Sequence, residues 1–168
     1  MTSQSPELVH GVAVAVAVDA DGPLAGALIL GPSGSGKSSL ALMLIETCPF
    51  QRTALVADDA VILEARAAAL IARSPERLQG LIEIRGLGPS KVRSVSACAL
   101  TLAVDLGGAA ERTPAPSIYQ PTGAGTGVPQ YPFIWKGAEA SAPHRLRRMI
   151  ASILGGQSAE LAQDNRPL

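Results

Sequence analysis

The chain has 168 residues, of which 47% are hydrophobic, 17% charged and only 3% aromatic, and its formal net charge is zero. That length supports one domain around an aliphatic core, and so small a charged fraction excludes a disordered chain. A chain of zero net charge has no global field to draw in nucleic acid or an anionic membrane, so neither is expected as a partner.

Met1 to Glu7 is polar, lacks a basic leader region and is expected to be disordered. The Val/Ala run after it is too short to cross a bilayer and ends at Asp19, so no signal peptide or membrane helix is expected and the protein reads as cytoplasmic. From Leu8 to Val18, Val12, Val14, Val16 and Val18 alternate with alanine, the period of a strand. Asp19-Ala20-Asp21-Gly22-Pro23 is a turn, which predicts a hairpin with the apolar run Ala25 to Leu30. Next comes Gly31-Pro32-Ser33-Gly34-Ser35-Gly36-Lys37-Ser38, a complete phosphate-binding loop of the form G-x-x-x-x-G-K-[ST]. Glycines let backbone N–H groups turn inward around an anion. Lys37, expected to face solvent at the anion site, supplies a point charge for the β- and γ-phosphates, and Ser38 offers a hydroxyl to Mg²⁺. Ser38 to Cys48 places Leu40, Met43, Leu44 and Cys48 at helical spacing, so strand, loop and helix follow in the order that seats phosphates on a helix N-terminus.

Thr53 to Ala57 predicts a short strand ending at Asp58-Asp59, and Val61 to Ile71 predicts two short strands or a hairpin. Ser74-Pro75-Glu76 has the pattern of a helix start, with a capping serine, proline at the first position and a carboxylate in the first turn. Leu81 to Arg85 reads as a strand entering the loop Gly86-Leu87-Gly88-Pro89, and Cys98 to Leu106 as another strand. Gly107 to Gly127, rich in Gly, Pro and Thr, is expected to be a mobile loop. Gly127 to Trp135 predicts a last strand. Ser141-Ala142-Pro143 starts a last helix, in which Leu146, Met149, Ile150, Ile153 and Leu154 form one apolar stripe. Residues 157–168 are polar and expected to fray. Cys48 and Cys98 have no metal-type spacing and read as buried free thiols of a reducing compartment. No repeat or linker divides residues 8–156. The whole is a mixed, strand-rich α/β phosphate-binding-loop domain rather than a regular βαβαβ series.

A phosphate-binding loop alone says only that phosphates bind, so the chemistry must come from its companions. Leu55-Val56-Ala57-Asp58-Asp59 is an apolar strand ending in two carboxylates. In many NTPases such a strand lies beside the loop strand and brings carboxylates to Mg²⁺ or to the attacking oxygen, and adjacent carboxylates also suit a base. Glu83 and Arg85, two apart, share one face of an extended chain. They suit a metal ligand beside a phosphate contact, or else an exposed cross-strand charge pair.

Val9-His10-Gly11, the phosphate-binding loop, Leu55 to Asp59 and Ile82-Glu83-Ile84-Arg85-Gly86-Leu87-Gly88 occur together and in this order. The combination resembles the catalytic domain of the HPr kinase/phosphorylase family, which modifies a serine on the phosphocarrier protein of the sugar phosphotransferase system. The likeness runs over roughly residues 8 to 154 and is to the short, single-domain form, without the N-terminal domain that many members carry. It implies a phosphate-binding-loop fold related to phosphoenolpyruvate carboxykinase, use of ATP and Mg²⁺, an HPr-like carrier as substrate and a homo-oligomer. It also implies that Asp59 accepts the proton of the target serine and returns it in the reverse attack by phosphate. By the same likeness Lys37 holds the transferred phosphoryl group, Ser38 and Glu83 ligand Mg²⁺, and His10 and Arg112 are the active-site histidine and arginine.

The chain also departs from the family. Ser39 stands where an acidic residue is common, and Pro121 to Gln130, usually basic, carries no charge, which sets the phosphorylase direction behind the kinase direction. Gly123, Gly125 and Gly127 open no helix and make no dinucleotide motif. His144, Arg145, Arg147 and Arg148 form a basic cluster at the last helix, read as a partner-docking patch or as its wet face. Two other functions fit the loop: a small-molecule kinase resembling a carboxykinase, and a nucleotide-sensing module without transfer activity.

Overall fold

The computed structural model describes residues 5–108, 112, 115, 117–122 and 125–163, with the side chains of 157–163 excepted. The expectations for residues 1–4, for 109–111, 113–114, 116 and 123–124 inside the 107–127 segment, and for 164–168 lie outside the described residues.

Eleven strands are formed by the described residues: β1 (Glu7–His10), β2 (Val12–Val16), β3 (Ala25–Leu30), β4 (Ala54–Ala57), β5 (Ala60–Arg66), β6 (Ala69–Arg73), β7 (Leu81–Ile84), β8 (Gly88–Lys91), β9 (Ala97–Asp105), β10 (Ser117–Tyr119) and β11 (Val128–Pro132). Two α-helices accompany them, α1 (Lys37–Glu46) and α2 (Ala142–Gln163). The main sheet runs β1-β5-β6-β9-β3-β2-β4, with β11 beside the C-terminal half of β9 and β10 beside β11. Strands β3, β9 and β11 are parallel, and the other neighbours in the main sheet are antiparallel. Strands β7 and β8 form a separate antiparallel hairpin.

The alternation in β2 decides how the layers stack. Val12, Val14 and Val16 face a core shared with Leu40 and Leu44 of α1 and Leu146 and Ile150 of α2. Ala13 and Ala15 face the opposite way, into a second core with Leu63 of β5 and Leu70 of β6. The sheet thus curls so that β5 and β6 cover the face that the helices leave open, and small alanines let that layer come close. The stripe read in α2 matches this packing: Leu146 and Ile150 are fully buried, with Met149, Ile153 and Leu154 partly buried against the same core.

Several elements differ from the sequence reading. Leu8 to Val18 is two strands, because at Gly11 the chain passes from β5 to the interior of the sheet. A Cβ there would lie 3.1 Å from the Ile29 carbonyl oxygen, a tight approach that glycine relieves. Strand β4 does not lie beside β3, because β2 is inserted between them. Ser74-Pro75-Glu76 starts only a three-residue 3-10 turn, Glu76–Leu78, and the Ser74 hydroxyl donates to the Pro75 carbonyl instead of capping. The glycine loop after Arg85 is a hairpin tip, β8 resuming at Gly88. The 107–127 segment includes a strand, β10. Helix α2 continues through Gln163, past residue 156.

Both cysteines are free. Cys48 is buried just beyond α1. Burial pushes its thiol up, but hydrogen bonds from the Thr53 side chain and the Arg52, Thr53 and Phe50 backbone outweigh this and bring it down to about 6. Burial alone raises Cys98. Among the described residues no helix is long and apolar enough to cross a membrane.

Candidate functional site

The glycine loop leaves β3 at Leu30 and enters α1 at Lys37. Gly36, at φ 94°, forms the N-cap in a left-handed conformation, and no side chain caps the first turn. The leading N–H groups of α1 therefore keep the donor capacity that an anion uses. Lys37 differs from expectation. It is buried, 7% exposed, and its Nζ donates to the carbonyl oxygens of Gly31 (2.9 Å) and Pro32 (3.1 Å). The ammonium is thus folded back onto its own loop instead of facing solvent.

The two carboxylates at the end of β4 part company. Asp58 is only 5% exposed and fully engaged: Oδ1 accepts from the Ser38 hydroxyl at 2.7 Å, and Oδ2 accepts the Glu83 backbone N–H at 2.7 Å. One buried side chain thereby ties the start of α1 to the root of the β7–β8 hairpin, which the fully buried Ile82 anchors in the core. Asp59 turns outward through a left-handed backbone, φ 67°. Its carbonyl accepts the Gly11 N–H at 3.1 Å, and its Oδ1 lies 3.1 Å from Nδ1 of His10. Aspartate visits this region more readily than most residues, and strain of this kind marks positions where side-chain direction matters. The expected carboxylate pair is therefore two separate partnerships, Asp58 with Ser38 and Asp59 with His10.

These groups line one cleft of about 620 Å³. Lys37 and Ser38 form one wall with Ser33, Gly34, Gly36 and Ser39. Asp58, Asp59 and His10 line the cleft from the ends of β4 and β1, and Glu83 and Arg85 of the hairpin form a second wall, with Leu78, Leu81 and Pro89 also in the lining. Glu83 and Arg85, expected on one face, do both reach this cleft. Gly31, Pro32 and Ser35 support the loop from outside the lining. Arg112 is exposed between β9 and β10 and does not line the cleft.

The oxygens of Ser38, Asp58 and Glu83 are hard donors that suit Mg²⁺, which completes its shell with phosphate and water. No group of three or more His, Cys, Asp or Glu side chains placed to hold a metal occurs among the described residues. A divalent ion here would therefore rely on the serine hydroxyl and on a bound phosphate as well as carboxylate.

Sequence reasoning missed one contributor. Trp135, beyond β11, is 7% exposed, and its Nε1–H donates to the Ser35 carbonyl at 3.0 Å. The only available signal was that a buried indole needs an acceptor. Of the basic cluster on α2, His144, Arg145 and Arg148 are exposed and only Arg147 departs from a wet face. Arg147 is buried with its Nη2 donating to the Leu44 carbonyl near the end of α1. Arg145 sits 4.8 Å above the Phe133 ring and donates to the Ile134 carbonyl, while His144 and Arg148 are exposed.

The family described as the HPr Serine kinase C-terminal domain matches residues 3–99, more than half of the chain. Over 71 residues the chain is 48% identical to an HPr kinase/phosphorylase of Bordetella pertussis, covering 42% of this chain and 22% of that protein. Over 64 residues it is 50% identical to an HPr kinase/phosphorylase of Halalkalibacterium halodurans, covering 38% of this chain and 19% of that protein. The chain thus spans only about a fifth of the length of these curated relatives. Among solved structures, the Hpr(Ser) kinase/phosphatase from Coxiella burnetii matches with a TM-score of 0.75 over 95% of this chain and 99% of that one. At 20% identity this is a likeness of fold, the same mixed, strand-rich α/β arrangement.

Proposed function

This chain belongs to the HPr Serine kinase C-terminal domain family, and from that premise we propose an ATP- and Mg²⁺-dependent kinase that phosphorylates a serine of an HPr-like phosphocarrier. The observation that carries the reading is convergence: Lys37, Ser38, Asp58, Asp59, His10, Glu83 and Arg85 come from four separate stretches of chain and line one cleft. Mg-ATP, when bound, supplies the phosphoryl group and the metal charge that offsets its oxygens.

In this reading the protein's own groups divide the work. The uncapped N-terminus of α1 and the ammonium of Lys37 receive the phosphates, Lys37 exchanging its loop carbonyls for phosphate oxygens. Ser38, Asp58 and Glu83 provide oxygens for Mg²⁺. Asp59 accepts the proton of the incoming serine hydroxyl. His10 fixes the direction of that carboxylate from 3.1 Å. Arg85, from the hairpin, adds positive charge where phosphoryl oxygens gather. Arg112 joins these groups only by the likeness to the family. The same likeness supports a homo-oligomer in the cytoplasm and a fold related to phosphoenolpyruvate carboxykinase. The reverse attack by inorganic phosphate is weak relative to the kinase reaction, because Pro121 to Gln130 offers a second anion no cation.

The test is incubation with Mg-ATP and the HPr-like proteins of the host, read by intact mass and site mapping. One added phosphoryl group on a carrier serine is expected. ATP consumption with every carrier unmodified overturns the assignment in favour of a different acceptor.

A further inference from the structure

Trp135 is the only tryptophan of the chain, and it sits 100 residues from the Ser35 carbonyl to which it donates. Its ring is buried in the helix-side core. The ring also lies directly against the backbone of Gly36: a Cβ on that residue would run into Cζ2 of the indole. Trp135 itself is held from several sides. The Phe133 N–H donates to the Asp105 carbonyl at 2.9 Å, the Ala138 N–H donates to the Trp135 carbonyl at 2.9 Å, and Arg145 packs on Phe133. The indole is therefore a fixed post, and the loop rests on it.

A trans peptide points its C=O and its N–H in opposite directions. The indole draws the Ser35 carbonyl toward itself, so the N–H of Gly36 must point away from the indole. Gly36 lines the cleft and Trp135 does not. Without that anchor the Ser35–Gly36 peptide could rotate at little cost, because glycine accepts either sign of φ. The N–H would then leave the cleft and a carbonyl oxygen would face the anion in its place.

We propose that Trp135 is a positioning residue of the phosphate-binding loop, locking the Ser35–Gly36 peptide with its N–H toward the cleft while touching no ligand itself. The proposal rests on the nucleotide-binding reading of the cleft and adds the residue that presets its geometry.

The test uses Trp135→Phe, which keeps an aromatic side chain in the core and removes the indole N–H together with the ring atoms that face Gly36. A second variant, Ile150→Val, trims a fully buried side chain of α2 in the same core and lowers stability through packing alone. Mg-ATP and, separately, inorganic pyrophosphate with Mg²⁺ are titrated calorimetrically into the wild type and both variants. Trp135→Phe is expected to bind both about tenfold more weakly, with Ile150→Val unchanged. If Trp135→Phe binds like the wild type, the positioning role is overturned and the nucleotide reading stands. If Ile150→Val weakens binding as much as Trp135→Phe, the effect is general destabilisation and the proposal again fails. A wild type that binds neither ligand overturns the nucleotide reading itself, a failure that arm alone reports. Should Trp135→Phe not fold, Trp135→Met, which also lacks the N–H donor, is titrated in its place: a loss of about tenfold is expected, and wild-type affinity overturns the positioning role.

Discussion

Two glycine-bearing loops adjoin the residues that line the cleft, and they use glycine for different reasons. In the loop before α1, Gly36 is packed: its left-handed backbone lies against the indole of Trp135, and any side chain would collide. At the tip of the β7–β8 hairpin, Gly86 and Gly88 have comparable positive φ values, 86° and 98°, yet an added Cβ on either would meet nothing within 4 Å. The first loop is braced from behind by a core residue. The second is held near its root, by Asp58 and Ile82, and carries the exposed Leu87 and Arg85 outward. One loop is packed against the core while the tip of the other stands in open space.

The largest effect is expected where the two walls meet. Asp59→Asn keeps the shape and tolerates the left-handed backbone, so it isolates the carboxylate. Transfer to the carrier should fall by about 10²–10⁴-fold, with calorimetric binding of Mg-ATP retained. Unchanged transfer would move the base to another group of the cleft. Lys37→Ala on the braced wall should cost about 10²–10³-fold in transfer. Because its ammonium also ties two loop carbonyls, the melting temperature should fall as well, and an unaltered melting temperature would show that those hydrogen bonds hold nothing.

Gly36→Ala and Gly86→Ala test the comparison itself. The first combines an unfavourable φ with collision against Trp135 and should destabilise by about 2–4 kcal/mol. The second faces only the backbone penalty, about 1–2 kcal/mol. Urea unfolding of both variants checks the ranking, and equal losses would dissolve the distinction between the two loops.

A pH-dependent effect lies off both walls, at Cys48 beyond the far end of α1. Its thiol is lowered from 9.0 to about 6 in the folded chain. Between those values the folded chain holds a thiolate while the unfolded chain still binds the proton, so stability rises with pH. That contribution is complete above 9.0 and is lost as pH falls toward about 6. Cys48→Ala should flatten the stability profile over this window, and denaturant titrations of both proteins at several pH values would read the difference.

What could be read in the sequence was what local spacing encodes. The glycine loop, the β2–β3 hairpin, the stripe of α2 and the one-face pair Glu83 and Arg85 each depend on residues a few positions apart, and the structure places them accordingly. What could not be read depends on distant partners. The insertion of β2 between β3 and β4 is a matter of topology, and valine–alanine alternation does not announce it. The division of Asp58 from Asp59 follows from one left-handed residue and a hydrogen bond from Gly11. The support from Trp135 crosses 100 residues. Arg147 read as surface charge, because nothing near it in the chain discloses the Leu44 carbonyl.

Strand β2 is apolar on both faces, so polarity cannot tell it which side to turn where. Size does so instead. A slip of one residue would press three valines into the narrow gap under β5 and β6 and leave alanine-sized voids beneath the helices, overfilling one core and hollowing the other at once. The same slip would move Asp58 by about 3.3 Å along its strand relative to the glycine loop, out of reach of the Ser38 hydroxyl. The difference between valine and alanine in an unremarkable strand is thus a ruler, and the alignment of the candidate site is measured against it.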